Sequence, residues 1–376
     1  MTSPTPPRVL HSTAVLPAHG RRQNLSLVLQ SLRRLGPMSR AQLAREVGVT
    51  KVTMSDLVAE LIAEGRVRDV GLAETSGPGK PATLVDLDPA GLVTVAVDLS
   101  IPARLQAAVV DVSGGVLHRL ERDAAKDAAS GTGVDPAVVV ELVHEAVAAA
   151  PHPVLGIGIG TPGVVDHAGR VRTAANLGWT DVPLRELVAS ATGLPVLVTN
   201  DAYAATQAEL SASPDSTDMV LVLIGRGIGC GIVSGGARVT GAGNAAGEIG
   251  HVTVGTDVGE VCTCGRRGCL ETWLSLTRLR AAADGQPFAG DPVEVGGQRL
   301  AVALAPLVAA LDLSEVVLTG PADLLDPLVP VVQRTLAERL LPMPDAGPVV
   351  RLATQPQDIV LRGAAALVLW DRLGVL

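Results

Sequence analysis

The stretch VTVAVDLSIPARLQAAVVDVSG, residues 93–114, decides the fold. An apolar strand runs into a turn at Ser100-Ile101-Pro102, and a second apolar strand leaves it. Residues 219–241, MVLVLIGRGIGCGIVSGGARVTG, repeat the plan: strand, glycine turn, strand, second turn. Helical material follows the first unit (DPAVVVELVHEAVAAA, 135–150), and then another buried strand, VLGIGIG. The late segment EVVLTGPADLLDPLVPVVQRTLAERL is again strand, glycine turn and helix. A duplicated unit of this kind predicts two α/β lobes, over 90–200 and 201–376, with the last helix free to cross back. Ligands gather in the cleft of such a pair, beyond the carboxyl ends of the strands.

Composition sets the outer bounds. The chain has 376 residues, 47% of them hydrophobic but only 1% aromatic, so Ala, Val and Leu must fill its core. No apolar run reaches the roughly 18 residues needed to span a bilayer. Residues 1–20 lack the features of a secretory signal and read as a flexible arm on a cytoplasmic protein without a membrane partner. The net charge of −8 is unevenly spread: residues 1–71 carry ten Lys+Arg against five Asp+Glu, a formal +5, and the rest −13. A basic small domain on an acidic large one is compatible with local contact to DNA.

Residues 21–89 supply such a domain. RQNLSLVLQSLRRL (22–35) puts Leu25, Val28, Leu29, Leu32 and Leu35 on one helical stripe before Gly36. Ser39 caps a short helix in which Leu43 and Val47 face inward and which Gly48 ends. Thr50 caps a third, with Val52, Leu57, Val58 and Leu61 as its inner face. The pattern is a helix-turn-helix, and RVRDVGLAETSGPGKPATLVDLD adds a two-stranded wing. Lys51, Thr53 and Ser55 would read base edges in a major groove, with Arg40 and Lys80 on phosphates. One such helix reads few base pairs, so the expected partner is a palindromic double-stranded operator bound by a homodimer, or by a tetramer.

Three of the four cysteines lie in HVTVGTDVGEVCTCGRRGCLETW, residues 251–273. Cys262, Cys264 and Cys269 offer three soft ligands on a glycine-assisted turn, and His251 can fold back as a fourth. That set suits a closed tetrahedral zinc site of structural kind, within a loop over 251–271. Cys230 stands apart and reads as a small buried residue.

Together these features resemble the ROK family, which unites bacterial sugar kinases with sugar-responsive transcriptional repressors. The resemblance runs from about residue 20 to the C-terminus. It implies an actin-like, ribonuclease-H-related ATPase-type fold behind a winged helix-turn-helix, and the DNA-binding head marks the repressor branch. CTCGRRGCLE agrees with the family's zinc loop at each fixed position, and Glu248 with His251 matches its E-x-G-H segment.

Asn200-Asp201 follows the apolar strand LPVLV and so stands at a strand end in the cleft. The resemblance makes Asp201 the position of the kinases' catalytic base and Asn200 a sugar ligand, with Glu248, His251 and Glu271 completing the pocket. Carboxylates, an amide and an imidazole suit the hydroxyls of a neutral sugar. Read alone, Asp201 could equally cap the helix that follows, and Trp179 could stack on a sugar or fill the core.

The kinases' D-x-G-G-T turn is altered here: Asp98 is kept, but Ser100-Ile101-Pro102 replaces its glycines and threonine. Arg226 and Pro321 mark departures at the second and third glycine turns. A backbone cradle for phosphates is hard to build from such residues. The reading is therefore a sugar-responsive repressor of carbohydrate-metabolism genes, with a degenerate nucleotide site, an intact sugar pocket and no enzymatic activity. The alternative is an ATP-dependent sugar kinase with an appended DNA-binding head.

Overall fold

A computed structural model describes residues 19–73, 81–88, 91–101, 103–124, 133–255, 259–283, 291–342 and 347–373. Lys80, Pro102 and nearly all of the N-terminal arm lie outside these. The chain divides into two compact units, Met1–Leu92 with Leu369–Leu376, and Val93–Val368.

In the smaller unit, α1 (His19–Leu35) starts three residues earlier than the sequence stripe suggests. It buries Val28, Leu29 and Leu32, while Leu35 at its frayed end is 50% exposed. After the two-residue β1 (Met38–Ser39), α2 (Arg40–Val47) opens with a capping box. The Gln42 backbone N–H donates to the Ser39 hydroxyl, and the Gln42 side-chain oxygen accepts from the Ser39 N–H at 2.8 Å. Gly48, at φ 77°, ends the helix in the left-handed region that glycine favours. Thr50 then caps α3 (Lys51–Ala63), whose inner face is Met54, Leu57, Val58 and Leu61. Val52 is not part of that face. It is 73% exposed, because two residues before Met54 is about 160° round a helix. The strands β2 (Val67–Leu72) and β3 (Thr83–Leu87) pair antiparallel, and β1 adds to β3 as a third strand that no sequence signal announced.

The larger unit holds two five-stranded sheets. Its first sheet joins β4 (Val93–Asp98), β5 (Arg104–Asp111), β6 (Val116–Asp123), β7 (Val154–Thr161) and β11 (Val196–Asn200) in the order β11-β7-β4-β5-β6. Between β7 and β11 stands a small antiparallel sheet of β8 (Val164–Val165), β9 (Val171–Ala174) and β10 (Trp179–Val182). Both faces of β4 are buried, and period-2 alternation divides its residues between them. Val95 and Val97 pack with α4 (Pro136–Ala148) and α5 (Leu184–Thr192), whereas Ala96 faces the other way. Trp179 belongs to the first of these clusters, 4% exposed, with its indole N–H donated to the Val134 carbonyl. It fills the core.

The second lobe begins with α6 (Asp201–Ala212). Its sheet joins β12 (Met219–Ile224), β13 (Ile228–Ser234), β14 (Ala237–Arg238), β15 (Glu315–Thr319) and β16 (Val349–Leu352) in the order β14-β13-β12-β15-β16. Three antiparallel strands beside two parallel ones is the same arrangement as in the first lobe. A one-turn helix α7 (Leu270–Trp273) and α8 (Leu276–Ala283) precede α9 (Pro292–Leu311), and the short α10 (Ala322–Leu325) precedes α11 (Leu328–Arg339). By length and composition α9 could cross a membrane, but it buries Leu300, Ala301 and Leu304 in the same cluster as β12, β15 and α11.

The final helix α12 (Ile359–Leu373) returns to the first lobe. Ile359 and Val360 pack with α6 and the second sheet, while Leu361, Ala364 and Ala365 pack on Ala96, Ala108 and Val110 of the first. So α6 and α12 lie together between the two sheets. Their backbones nearly touch: a Cβ on Gly363 would stand 1.7 Å from the Ala204 carbonyl oxygen. Gly363→Ala should therefore force the helices apart and cost roughly 2–3 kcal/mol, read as a lowered denaturation midpoint. An unchanged midpoint would show that the pair is not closely packed in solution.

Candidate functional site

The carboxyl ends of β4, β7 and β11 point at the β12–β13 turn, and a cleft opens there. Asn200, Asp201, Glu248, His251 and Glu271 all line it, as do Ser100, Gly163, Asn176 and Arg226. The structure thus brings five residues separated by up to 71 positions of sequence to one place.

Each is held by local chemistry. Asn200, not Asp201, is the N-cap of α6: its side-chain oxygen accepts from the Tyr203 N–H at 3.1 Å. The same amide donates to the Gly163 carbonyl at 3.0 Å, which ties the GIGTPG loop to the helix start. Asp201 lies at the head of α6, in the cleft, where its Oδ1 accepts from the Ala202 N–H at 2.8 Å. Glu248 stands just before a single 3-10 turn, Ile249–His251, and His251 is its last residue. Glu271 rides on α7, and glycine at position 227 makes room for it, since a Cβ there would stand 2.4 Å from its Oε2.

Burial governs the electrostatics. Asp201 is pushed up from its ordinary value to about 7, first by burial and then by the neighbouring charges of Asp98 and Glu248. Burial also raises Glu248, with Glu271 adding to the effect. Asp98 is raised by burial too, although Ser100 offsets part of this through its N–H at 2.8 Å and its hydroxyl at 2.6 Å, both donated to Oδ1. Three crowded carboxyls with raised affinity for protons can hold hydrogens or accept them, which suits a polyhydroxylated ligand.

Beside the cleft, the ligand atoms of His251, Cys262, Cys264 and Cys269 lie within 4.8 Å of one another. Cys262 Sγ is 3.5 Å from His251 Nδ1, and Cys264 Sγ is 3.6 Å from Cys269 Sγ. Edges of about 3.6 and 3.8 Å are what a tetrahedral metal with ordinary N and S bond lengths requires. The cluster fits one metal ion. With Nδ1 turned to the sulfurs, Nε2 of His251 is left for the cleft. Cys262 Sγ also lies 3.7 Å from Glu271 Oε1, so cluster and cleft share a wall. Cys230 is elsewhere, 2% exposed, with burial raising its thiol to about 12.

The profile of the ROK family matches residues 96–370. This chain belongs to the ROK family. Its relatives extend the placement to the repressor branch. The xylose repressor of Caldicellulosiruptor bescii is 31% identical over 266 residues, 68% of this chain and 64% of that repressor. The matched stretch thus falls just short of two thirds of the repressor's length. A crystallised ROK transcriptional regulator, a homologue of the Escherichia coli MLC protein, superposes with a TM-score of 0.77 at 25% identity, over 94% of this chain and 98% of its own. The N-acetylmannosamine kinase of Escherichia coli strain 55989 is 31% identical over 307 residues, 75% of this chain and all of the kinase.

That last match corrects one expectation. The altered glycine turns suggested a ROK chain without enzymatic activity. Yet a sugar kinase aligns along its whole length, and the buried acid at Asp201 is in place. The reason is physical: the altered glycine turns lie on other elements, whereas the buried carboxyl of Asp201 sits on α6. Enzymatic activity is therefore plausible for this chain.

Two cleft residues were not singled out beforehand. Asn176 carries no motif of its own in the sequence, and Arg226 was noted only as a departure from the kinase turn. Arg226 Nη1 donates to the Asn176 carbonyl at 3.3 Å, joining the second lobe's turn to the first lobe's loop. No single-residue pattern marks such a pair, because it exists only once the lobes are folded together.

In the smaller unit, Lys51 and Ser55 are exposed and Thr53 is half-buried at the start of α3. Ser55 donates to the Lys51 carbonyl, and Thr53 Oγ1 lies 2.9 Å from Thr50 Oγ1. Arg40 pairs with Asp69 at 3.1 Å.

Asp201 also sets a stability prediction for this ROK chain. Its carboxyl is raised, so ionising it costs the native state; the cost is absent below the ordinary carboxylate value and full above about 7. A shift of this size corresponds to roughly 4 kcal/mol. Asp201→Asn should accordingly match the parent near pH 4 and exceed its stability by about 2–4 kcal/mol at pH 8. Equal differences at both pH values in chemical denaturation would refute the raised carboxyl.

Proposed function

We propose that this chain is a sugar-responsive, DNA-binding repressor of carbohydrate-metabolism genes. The observation that carries it is the pairing of a helix-turn-helix unit with a ROK module whose cleft collects Asn200, Asp201, Glu248, His251 and Glu271. The small unit is read as a winged helix-turn-helix. A capped α2, a left-handed turn at Gly48 and a capped α3 support this reading, and so does the crystallised regulator matched over 94% of the chain. In it α3 would enter a major groove with Lys51, Thr53 and Ser55 leading, while Arg40 and Lys80 meet phosphates. Arg40 would have to exchange Asp69 for a phosphate, a step sensitive to salt.

The effector is read as a sugar held through hydroxyls, and the relatives' printed names make xylose the first to try. The metal is read as zinc in a structural role, because four protein donors fill a tetrahedron and leave no position for water. Bound there, zinc would fix the turn from which His251 and Glu271 reach the cleft. Operator binding by a two-fold homodimer in the cytoplasm completes the proposal.

Phosphoryl transfer to a sugar is the second reading, favoured by a buried carboxyl near neutrality at the kinases' base position. Against a standard nucleotide contact stands Ser100, whose N–H and hydroxyl both occupy Oδ1 of Asp98.

One titration separates the readings. Xylose added to the protein–operator complex should weaken operator affinity by about 5–150-fold, and the same samples are assayed for sugar-dependent ATP consumption. Unchanged affinity with saturating xylose and other common sugars would sink the repressor reading. Turnover that vanishes in Asp201→Ala would establish the kinase. Lys51→Ala should relax operator choice and cost roughly 1–3 kcal/mol; equal affinity for operator and scrambled DNA in the parent would remove α3 from the reading.

Metal analysis of protein purified without chelator should find one zinc per chain. Cys262→Ser should lose it and loosen sugar binding at least tenfold, because metal binding and the folding of its loop are coupled. Full sugar affinity in the zinc-free variant would break that link.

A further inference from the structure

The four members of the cysteine–histidine cluster differ in their access to solvent. Cys262 and Cys269 are 4% and 0% exposed, and His251 is half-buried, but Cys264 is exposed. It sits at the tip of a tight hairpin that the Cys262 N–H closes onto the Arg266 carbonyl at 2.7 Å, with Gly265 turning at φ 85°. A buried thiol lies directly behind it: Cys269 Sγ is 3.6 Å from Cys264 Sγ. A solvent-facing sulfur backed by a second one within contact distance is the arrangement of an attacking and a resolving cysteine.

We propose that Cys264 is an oxidation site, at which a hydroperoxide converts the Cys264–Cys269 pair to a disulfide and opens the metal cluster. This rests on the zinc reading given above. The Cys264 sulfur attacks the terminal oxygen of the hydroperoxide; the O–O bond breaks, an alcohol or water departs, and the sulfur becomes a sulfenic acid. The Cys269 sulfur attacks that sulfur in turn, forming the S–S bond and expelling water. Two thiolates, one hydroperoxide and two solvent protons give one disulfide, one alcohol and one water; the sulfurs lose two electrons and the peroxide gains them. A disulfide is about 2.05 Å long, so the sulfurs need close only by about 1.5 Å.

The consequence reaches the cleft. His251 and Cys262 alone are left as ligands, and two protein ligands hold an ion far more weakly than four. Cys269 is the N-cap residue of α7, which carries Glu271, and its Sγ lies 3.5 Å from the His251 carbonyl oxygen. Pulling Cys269 toward Cys264 therefore disturbs two of the five cleft residues at once. Peroxide and sugar would act on one element.

The test uses the zinc-loaded full-length chain, treated with a few equivalents of hydrogen peroxide beside a chromogenic zinc chelator. Release of one zinc per chain is expected. Trypsin cuts after Arg266 and Arg267, which separate the two cysteines, so the bond should appear as two peptides held together until reduced, with fragmentation assigning it to Cys264 rather than Cys262. Cys230 should stay free, and amide exchange across residues 248–273 should rise at least tenfold until reductant and zinc are returned. Zinc retained under peroxide that oxidises free glutathione would overturn the inference, as would release without a Cys264–Cys269 link. Protein that carries no zinc before treatment would overturn the zinc reading itself.

Discussion

The contact between α6 and α12, backbone against backbone at Ala204 and Gly363, sets the distance between the two sheets. Every feature of the cleft depends on that spacing. α6 presents Asp201 at its first turn, and α12 carries small residues, Ala364 and Ala365, against the first sheet. A core almost without aromatics can place two helices this close, because Ala and Gly let backbones meet where larger side chains would hold them apart. Each helix is also fixed electrostatically. Glu209 of α6, 1% exposed, accepts from Arg351 and Thr354, and Arg351 bridges on to Glu315 of β15. Asp358, one residue before α12, takes a two-pronged hydrogen bond from Arg119 of β6. Removing Arg351 would leave the buried Glu209 carboxylate uncompensated, which is far costlier than never having had the pair.

From this frame the division of labour at the site follows. Strand ends and the α6 cap provide the first-lobe residues, whose positions are as rigid as the sheet. The second-lobe residues Glu248, His251 and Glu271 come from short pieces, a 3-10 turn and the one-turn helix α7, which have few hydrogen bonds of their own to hold them. The cysteine–histidine cluster lies where that stiffness is missing. It is a local cross-link for a stretch anchored to the hydrophobic core at Ile249, Val254 and Leu270.

Much of this was legible in the sequence because its signals are local. The capped helices of the small unit, the duplicated strand–turn–strand units and the ligand spacing of 262–269 each fit within a few residues. Ser39, Gly48 and Thr50 stand where their chemistry predicts. The failures came where a rule of periodicity met a competing one. Val52 was placed inside on hydrophobicity alone, whereas the helical phase set by Leu57, Val58 and Leu61 admits Met54 instead. β1 is two residues long and exists only through its pairing with β3. The Arg226–Asn176 link joins distant segments and leaves no trace in either. Enzymatic potential was misjudged because altered glycine turns were taken to speak for a buried carboxyl, Asp201, on another element.

The amide of Asn200 accepts from the Tyr203 N–H with one end and donates to the Gly163 carbonyl with the other. Its two tasks need opposite chemistry, an acceptor for the helix and a donor for the loop. Serine or aspartate would satisfy the first and fail the second. A change at this position would leave α6 properly started while untying the loop over the cleft, so helix integrity and ligand enclosure are separable by a single nitrogen atom.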